Sequence, residues 1–259
     1  MKKITEAIKL RILYGKLLLT GNLSFSLAAF FMLPAFMRPK MDSIKSFSIY
    51  GKPFITPKGP RELRTALNLI HEIIGLNQYR IQLIKNDAVV IDAGANMGVF
   101  SIFVAANHPR SAIHAFEPTP STFEALKTNT RYYPNIKIYN FGLGEKEKKA
   151  SILLASGSSG NYIGEGGIPV QIKTLDSFNL PADFIKIDTE GYEANILRGA
   201  AETLKKYKPI IVMSAYHKPN DETELPALLN NIVPYDCELR QIARRTSPAR
   251  LSAELYYRP

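Results

Sequence analysis

Short apolar runs alternate with helix-like patterns over most of the chain, from residue 88 onward. Between the runs, apolar residues recur at the three- and four-residue spacing of amphipathic helices, as in GVFSIFVAA and STFEALKTN. This alternation predicts an α/β fold, in which a mostly parallel sheet is covered by helices on both faces. Ligands of such sheets bind at the carboxyl ends of the strands. The predicted strands are AVVIDA, AIHAFEP, IKIYNFGLG, DFIKID, PIIVMSAY, YDCELRQI and AELYYR.

The N-terminal part of the chain follows another pattern. Lysines recur every seven residues and isoleucines every four, which predicts a basic amphipathic helix carrying Lys2, Lys9 and Lys16 with Ile4, Ile8 and Ile12. Residues 17–37 are uncharged, but Gly21 and Pro34 interrupt this run. Association with a membrane surface, or packing onto the domain, is therefore favoured over a membrane span or a cleaved signal peptide.

A segment rich in Pro, Lys and Gly follows, from Arg38 to Pro60, and is typical of a linker. We therefore divide the chain into a basic arm with its linker, residues 1–60, and a main domain, residues 61–259. The main domain begins with RELRTALNLIHEIIG, an amphipathic helix that we expect to end at Gly75.

The charge of the chain is concentrated in the arm. Of the formal net charge of +10, residues 1–60 hold ten Lys or Arg against two acidic residues, a net of +8. A basic arm on a nearly neutral domain indicates an anionic membrane surface, bound through residues 1–40, rather than nucleic acid. The single cysteine, Cys237, forms no internal disulfide, which favours a cytoplasmic location, with the arm peripheral at the inner face of the membrane.

The turn DAGANMG after the first predicted strand of the main sheet is the first candidate for chemistry. Gly94 and Gly98 stand where the backbone bends tightly and approaches a ligand, although such pairs also serve plain turns. The next strand ends in Glu117, at about the interval expected for a carboxylate that binds a ribose. Because the turn is not G-x-G-x-x-G, a cofactor without a pyrophosphate is favoured.

Acidic residues crowd the stretch IKIDTEGYEANILRGA, and two interpretations remain open. Asp188 or Thr189 caps a helix that Gly199 ends, with Glu190 and Glu193 at its positive end. Alternatively, the acids form a catalytic or metal-binding cluster. The spacing shows no ligand geometry and no Cys or His pair has a zinc spacing, so we predict no required metal.

Four ordered blocks, VVIDAGANMGVFS, IHAFEPTPSTFEALKTN, VQIKTLDSF and DFIKIDTEGYEANILRGA, resemble the FkbM-type family of S-adenosylmethionine-dependent methyltransferases. The resemblance implies a Rossmann-like class I methyltransferase fold, with a seven-stranded, mostly parallel sheet whose last strand is antiparallel. It also implies methyl transfer, usually to a hydroxyl. By this resemblance Glu117 holds the cofactor ribose, and the methionine part lies on Asp92, Gly94, Asn96 and Gly98.

The acceptor side of the site is less defined. Asp188 is expected to orient the cofactor or hold the acceptor, with Glu190 as a further acceptor contact. His217, which follows the strand PIIVMSAY and titrates near neutral pH, is the candidate general base, and Tyr216 beside it is a candidate acceptor ligand. The expected acceptor is a hydroxyl on a sugar, a glycolipid or polysaccharide, including a lipid-linked glycan, or on a secondary metabolite.

Three other functions share features with this sequence. An NAD-type oxidoreductase or epimerase shares the strand–helix–strand unit, but its G-x-G-x-x-G turn is missing. Nucleic-acid methyltransferases commonly carry a Pro-Pro motif, and the chain has no Pro-Pro pair. A membrane-tethered, noncatalytic binding protein remains the alternative outside enzymes.

Overall fold

A computed structural model describes residues 2–22, 24–33, 47–58, 61–155, 157–243 and 251–258. Its centre is a seven-stranded sheet in the order β12-β13-β11-β10-β3-β4-β5. Five strands are parallel neighbours, and β13 lies antiparallel between β11 and β12. The predicted α/β sheet with its antiparallel last strand is thereby confirmed. The strands are β3 Val89–Ala93, β4 Ala112–Phe116, β5 Ile136–Tyr139, β10 Phe184–Ile187, β11 Ile210–Ser214, β12 Asp236–Ala243 and β13 Leu251–Arg258.

Helices cover both faces of this sheet because side chains alternate along each buried strand. Val90 and Phe184 pack on one face in a core that includes Phe100 of a covering helix, whereas Ile91 and Ile185 belong to a second core on the other face. The helices of the main domain are α3 Glu62–Leu69, α4 Val99–Asn107, α5 Pro120–Thr130, α6 Glu193–Arg198, α7 Ala201–Tyr207 and α8 Asp221–Ile232. A π-helical turn, Ile70–Gly75, extends α3 to its predicted end.

The N-terminal region forms α1 Lys2–Leu19 and α2 Phe25–Met32. The helix predicted for the start of the chain is confirmed, but the side chains of Lys2 and Lys9 lie outside the description, as do residues 34–37 of the uncharged run. The ring of Tyr14 stacks on Phe31 at 4.6 Å, and its hydroxyl lies 2.7 Å from Nδ1 of His71. Part of the arm therefore packs onto the main domain. Among the described residues no helix is both long and apolar enough to cross a membrane.

A short hairpin continues this packing. It consists of β1 Phe47–Ile49 and β2 Lys52–Phe54, and its apolar residues belong to the same core as Val90. Beyond the hairpin, the backbone of Ile55 both donates to and accepts from the Asn129 side chain, at 2.8 and 2.9 Å. These contacts attach the described part of the linker to α5. The division near residue 60 stays a prediction.

A second sheet lies between β5 and β10 in sequence, and we call it the roof sheet. The predicted strand IKIYNFGLG is split, because the side chain of Asn140 donates to the carbonyls of Glu117 and Pro118 and the chain turns there. The residues after the turn join the roof sheet, which has the order β6-β9-β7-β8. Its strands are β6 Gly142–Leu143, β7 Lys148–Leu153, β8 Tyr162–Ile163 and β9 Ile168–Lys173.

Candidate active site

A cavity lies at the carboxyl ends of β3, β4 and β10, where the fold predicts a ligand. It encloses about 860 Å³, counting the solvent space at its mouth. Five residues predicted from the sequence line it, namely Gly94, Asn96, Glu117, Asp188 and Glu190. Four predicted residues are not in its lining, namely Asp92, Gly98, Tyr216 and His217.

The glycines of the turn are required by the protein itself. Gly94 has φ 76°, and a Cβ on it would lie 2.0 Å from the carbonyl oxygen of Asp188. Gly98 has φ 92°, and its Cβ would lie 2.8 Å from Cδ1 of Leu126. Gly94 thus permits the close approach of β3 to the end of β10, and Gly98 the packing of α4 against α5. Gly98 is not among the residues that line the cavity, and its contact with a cofactor stays a prediction.

Asp92 forms a buried ion pair with Lys186. The Lys186 Nζ donates to Oδ1 of Asp92 at 3.0 Å and to the carbonyl of Gly94 at 2.6 Å, and Ser101 donates to Oδ2 of Asp92 at 2.6 Å. Both charged side chains are almost fully buried, at 4% and 0% exposure. Asp92 therefore holds Lys186 and, through it, the glycine turn, and its contact with the methionine part of the cofactor stays a prediction. Lys186 was not predicted as part of the site, although a lysine within the apolar run FIKI indicates a buried acidic partner.

Glu117 presents a buried carboxylate at the cavity wall. Its Oε2 accepts from the backbone N–H of Asn96 at 3.0 Å, and its Oε1 from that of Thr119 at 2.9 Å. Burial raises the pKa of Glu117, while these N–H groups act in the opposite direction. Each oxygen has a second lone pair, so the carboxylate can also accept from a ligand.

The acidic stretch after β10 divides into two functions. Glu193 is buried, and its Oε1 accepts from the backbone N–H groups of Thr189 and Gly191 at 3.0 and 3.3 Å, so it fixes the loop. Helix α6 begins at Glu193 after Tyr192, which corrects the prediction that Asp188 or Thr189 caps it. Gly199 follows the last residue of α6, as predicted.

Asp188 and Glu190 face the cavity. Oδ2 of Asp188 accepts from the hydroxyl of Tyr79 at 2.7 Å, and Tyr79 itself lines the cavity. Glu190 has φ 54°, in the left-handed region, and its side chain is 31% exposed. Tyr79 was not found from the sequence, because it lies 109 residues before Asp188 in a segment without a motif.

His217 lies among three carboxylates behind the cavity wall. Its Nδ1 is 2.9 Å from Oε1 of Glu193, and its Nε2 is 3.6 Å from Oδ1 of Asp188 and 3.4 Å from Oε2 of Glu190. Burial alone would lower its pKa, but the hydrogen bond with Glu193 and the three negative charges raise it to about 9. An imidazole protonated at neutral pH accepts no proton, so the geometry does not favour the predicted general base. Tyr216 packs against the His217 ring, with centroids 4.3 Å apart.

A fourth carboxyl group lies behind Asp188. Glu254 of β13 is fully buried, accepts from Nε2 of Gln78 at 2.6 Å, and lies 3.2 Å from Oγ of Ser214. Burial raises its pKa to about 8, and the charge of Asp188 acts in the same direction. Glu254 is therefore protonated at neutral pH. The sequence predicted only that Glu254 lies in a strand, without any part in the site.

The roof sheet closes the cavity opposite the glycine turn, with Leu143 and Ile152 in the lining. Between β7 and β8, Ser158 donates to Oε2 of Glu62 at 2.8 Å, and its hydroxyl lies 3.3 Å from Oδ1 of Asn96. One residue thus joins the roof sheet to α3 and to the turn.

The sequence is similar to those of known methyltransferases. Residues 92–242 match the sequence model of the methyltransferase FkbM domain family. Methyltransferase 1 of Beauveria bassiana is 24% identical over 193 residues, covering 62% of this chain and 74% of that protein. The hexuronic acid methyltransferase AglP of Haloferax volcanii is 28% identical over 152 residues, covering 54% of this chain and 62% of that protein.

A solved structure has the same fold. The crystal structure of methyltransferase FkbM from Methylobacillus flagellatus KT superimposes with a TM-score of 0.55 at 19% identity. The superposition covers 78% of this chain and 56% of that one. This likeness confirms the Rossmann-like fold that the sequence predicts.

Proposed function

Since the chain belongs to the FkbM methyltransferase family, we propose that it transfers the methyl group of S-adenosylmethionine to an oxygen of a sugar or a related hydroxylated metabolite. The family decides against the NAD-type oxidoreductase. The observation that carries the proposal is that two carboxylates, Glu117 and Asp188, line the same cavity together with the glycine turn.

The residues of the cavity fit S-adenosylmethionine. Glu117 would bind the ribose hydroxyls, because its carboxylate is buried, oriented by two backbone N–H groups, and able to accept further hydrogen bonds. Phe116, Leu143 and Ile152 supply the apolar wall that an adenine ring needs. Asp188 would attract the cationic end of the cofactor. When bound, the cofactor supplies an electrophilic methyl carbon on a sulfonium.

The acceptor would bind beside Asp188 and Glu190. A hydroxyl donates a hydrogen bond to a carboxylate, and this contact fixes its oxygen in the orientation that an in-line displacement requires. Tyr79 keeps one oxygen of Asp188 in place. The relative that acts on a hexuronic acid supports a sugar as the acceptor class.

We also propose that α1 and α2 bring the protein to an anionic membrane surface. Leu19 and Phe25, on either side of the turn between the helices, are 87% and 75% exposed, and Lys16 nearby is also exposed. Apolar side chains at such a tip enter the headgroup layer, and basic residues bind anionic lipid. The small net charge beyond residue 60 gives no support for nucleic acid as the acceptor.

Calorimetry with S-adenosylmethionine tests the cofactor site. Glu117→Ala should weaken binding about 10- to 100-fold, equivalent to about 1–3 kcal/mol for a lost charged hydrogen bond. Glu124→Ala is the matched control, because Glu124 is an exposed carboxylate on α5. A parent protein without affinity for the cofactor would contradict the assignment, and equal affinity in the Glu117 variant would place the ribose elsewhere.

A second measurement tests the acceptor. The protein is incubated with methyl-labelled S-adenosylmethionine and with separate lipid, polysaccharide and small-molecule fractions. Label in a sugar-containing product that alkali does not release indicates an ether on a hydroxyl. Cofactor binding without transfer to any fraction would instead support the noncatalytic binding protein.

A further inference from the structure

His217 has the environment of a metal ligand. Its side chain is 7% exposed, and among the described residues Nε2 has no hydrogen-bond partner. This atom points between the carboxylates of Asp188 and Glu190, both of which reach the cavity. A buried ring nitrogen without a hydrogen bond is costly unless another group binds it.

The separations at Nε2 suit coordination better than hydrogen bonding. The Nε2–O distances are 3.6 Å to Asp188 and 3.4 Å to Glu190, whereas N–H···O hydrogen bonds in proteins measure about 2.7–3.2 Å. Nitrogen and oxygen ligands at about 2.0–2.2 Å from a tetrahedral ion are about 3.3–3.6 Å from one another. Nε2 therefore lies at the spacing of a neighbouring ligand from each of these two carboxylate oxygens.

The other ring nitrogen supports the same interpretation. Nδ1 is 2.9 Å from Oε1 of Glu193, which is itself fixed by the N–H groups of Thr189 and Gly191. Histidines that bind metals usually donate the second ring N–H to a carboxylate, which fixes the tautomer and directs the free lone pair at the metal. Glu193 holds His217 in this arrangement, with Nε2 toward Asp188 and Glu190. Ligand atoms of Asp188, Glu193 and His217 all lie within 4.8 Å of one another.

We propose that His217, Asp188 and Glu190 bind a divalent first-row transition-metal ion at the edge of the cavity, where it holds the acceptor oxygen. The proposal rests on the proposed methyl transfer for its role, though not for the binding itself. The three carboxylates favour a positive charge at Nε2 of His217, and a divalent cation would supply that charge in place of the imidazole proton. The sequence predicted no required metal, because spacing alone did not bring His217 to the acids.

The ion would promote deprotonation of the acceptor hydroxyl, the step for which His217 was predicted as the general base. A hydroxyl bound to a divalent cation loses its proton to water more readily. The oxygen then forms a bond to the methyl carbon as the carbon–sulfur bond breaks, and that electron pair remains on sulfur. The coordinated oxygen is also oriented toward the methyl group. The imidazole orients the ion and takes no proton.

Manganese binding to the full chain tests the site without any cofactor. The protein is first treated with a chelator, and bound and free Mn²⁺ are then separated by electron paramagnetic resonance. His217→Gln and Glu190→Gln should each weaken Mn²⁺ binding at least about 10-fold, the lower end of the losses seen when metal sites are disturbed. Glu222→Gln, an exposed acid at the start of α8, is the matched control and should bind as the parent does. Circular dichroism checks that each variant is folded.

Two further measurements, Ca²⁺ binding and cofactor binding, distinguish the possible outcomes. Ca²⁺ prefers oxygen ligands, so a site containing an imidazole should bind Mn²⁺ more tightly than Ca²⁺, whereas a plain acidic surface would not distinguish them. No Mn²⁺ binding by the parent, or equal binding by the folded Glu190 and His217 variants, overturns the proposal. If the chelated parent still binds S-adenosylmethionine and methylates at an undiminished rate, the role of the metal in holding the acceptor is refuted while the proposed function stands. If the parent protein does not bind S-adenosylmethionine at all, the proposed function is refuted instead.

Discussion

Replacing Glu254 by glutamine should make the protein more stable near neutral pH. The carboxyl group is fully buried, and its pKa is raised from the ordinary 4.5 to about 8, with burial as the largest cause. Between these two values the unfolded chain has released the proton and the folded chain still holds it. The free energy of unfolding therefore falls as pH rises through this window, and the loss reaches about 3 kcal/mol at neutral pH.

Glutamine preserves the neutral state and its hydrogen bonds. Its carbonyl oxygen can accept from Gln78, and its amide can donate to Ser214, so the substitution removes the titration and leaves the packing. Urea unfolding at intervals from about pH 5 to pH 8 should show a difference under about 1 kcal/mol at the acid end and an advantage of about 4 kcal/mol for Glu254→Gln at the alkaline end. The exposed Glu222→Gln serves as the control.

His217 also contributes to the pH dependence of the free energy of unfolding of the parent protein. The pKa of His217 is raised to about 9, so its contribution is present at low pH and is lost as pH rises from its ordinary value of 6.5 through about 9. Both groups act with the same sign, and only the difference between parent and variant at each pH reports on Glu254. If the two curves run parallel from about pH 5 to pH 8, Glu254 is ionised in the folded protein and the reasoning from burial is wrong.

Three further substitutions test other parts of the structure. Gly94→Ala should destabilise the fold far more than Gly166→Ala in thermal unfolding, because only the first Cβ meets backbone, at 2.0 Å, although both residues have positive φ; equal losses would contradict this. Lys186→Met leaves the buried Asp92 without its cation and should cost about 3–5 kcal/mol in urea unfolding, whereas a loss under about 1 kcal/mol, typical of an exposed pair, would mean that water reaches the carboxylate. Phe25→Glu should reduce flotation with anionic vesicles without changing the melting temperature, and undiminished flotation would remove the helix tip from the membrane contact.

The parts of the fold that depend on local pattern could be predicted. Buried parallel strands are continuous apolar runs, so the five parallel strands were found from the sequence. Glu117 could be predicted because it ends the strand that follows the glycine turn, and the carboxyl ends of parallel strands lie at the same edge of the sheet. The roof sheet was missed because two of its strands have only two residues each, too short for any periodicity.

The contacts that define the site come from distant parts of the chain. Tyr79 reaches Asp188 across 109 residues, and Gln78 reaches Glu254 across 176. Periodicity carries no information about such pairs. His217 was chosen for its ordinary pKa near neutrality, but the carboxylates that alter this pKa are brought to it only by folding. The sequence therefore identified the edge of the sheet where the cavity lies, whereas the role of His217 as a general base stays a prediction that its surroundings do not favour.

The link that Ser158 forms between the roof sheet, α3 and the glycine turn has a kinetic consequence. Any motion that lifts the roof sheet away from the glycine turn has to separate the hydrogen bonds of Ser158 with Glu62 and Asn96. The barrier to such an opening belongs to the protein and not to the reacting bonds. Two enzymes with identical carboxylates around the methyl group would therefore open at different rates if one of them lacked this single serine.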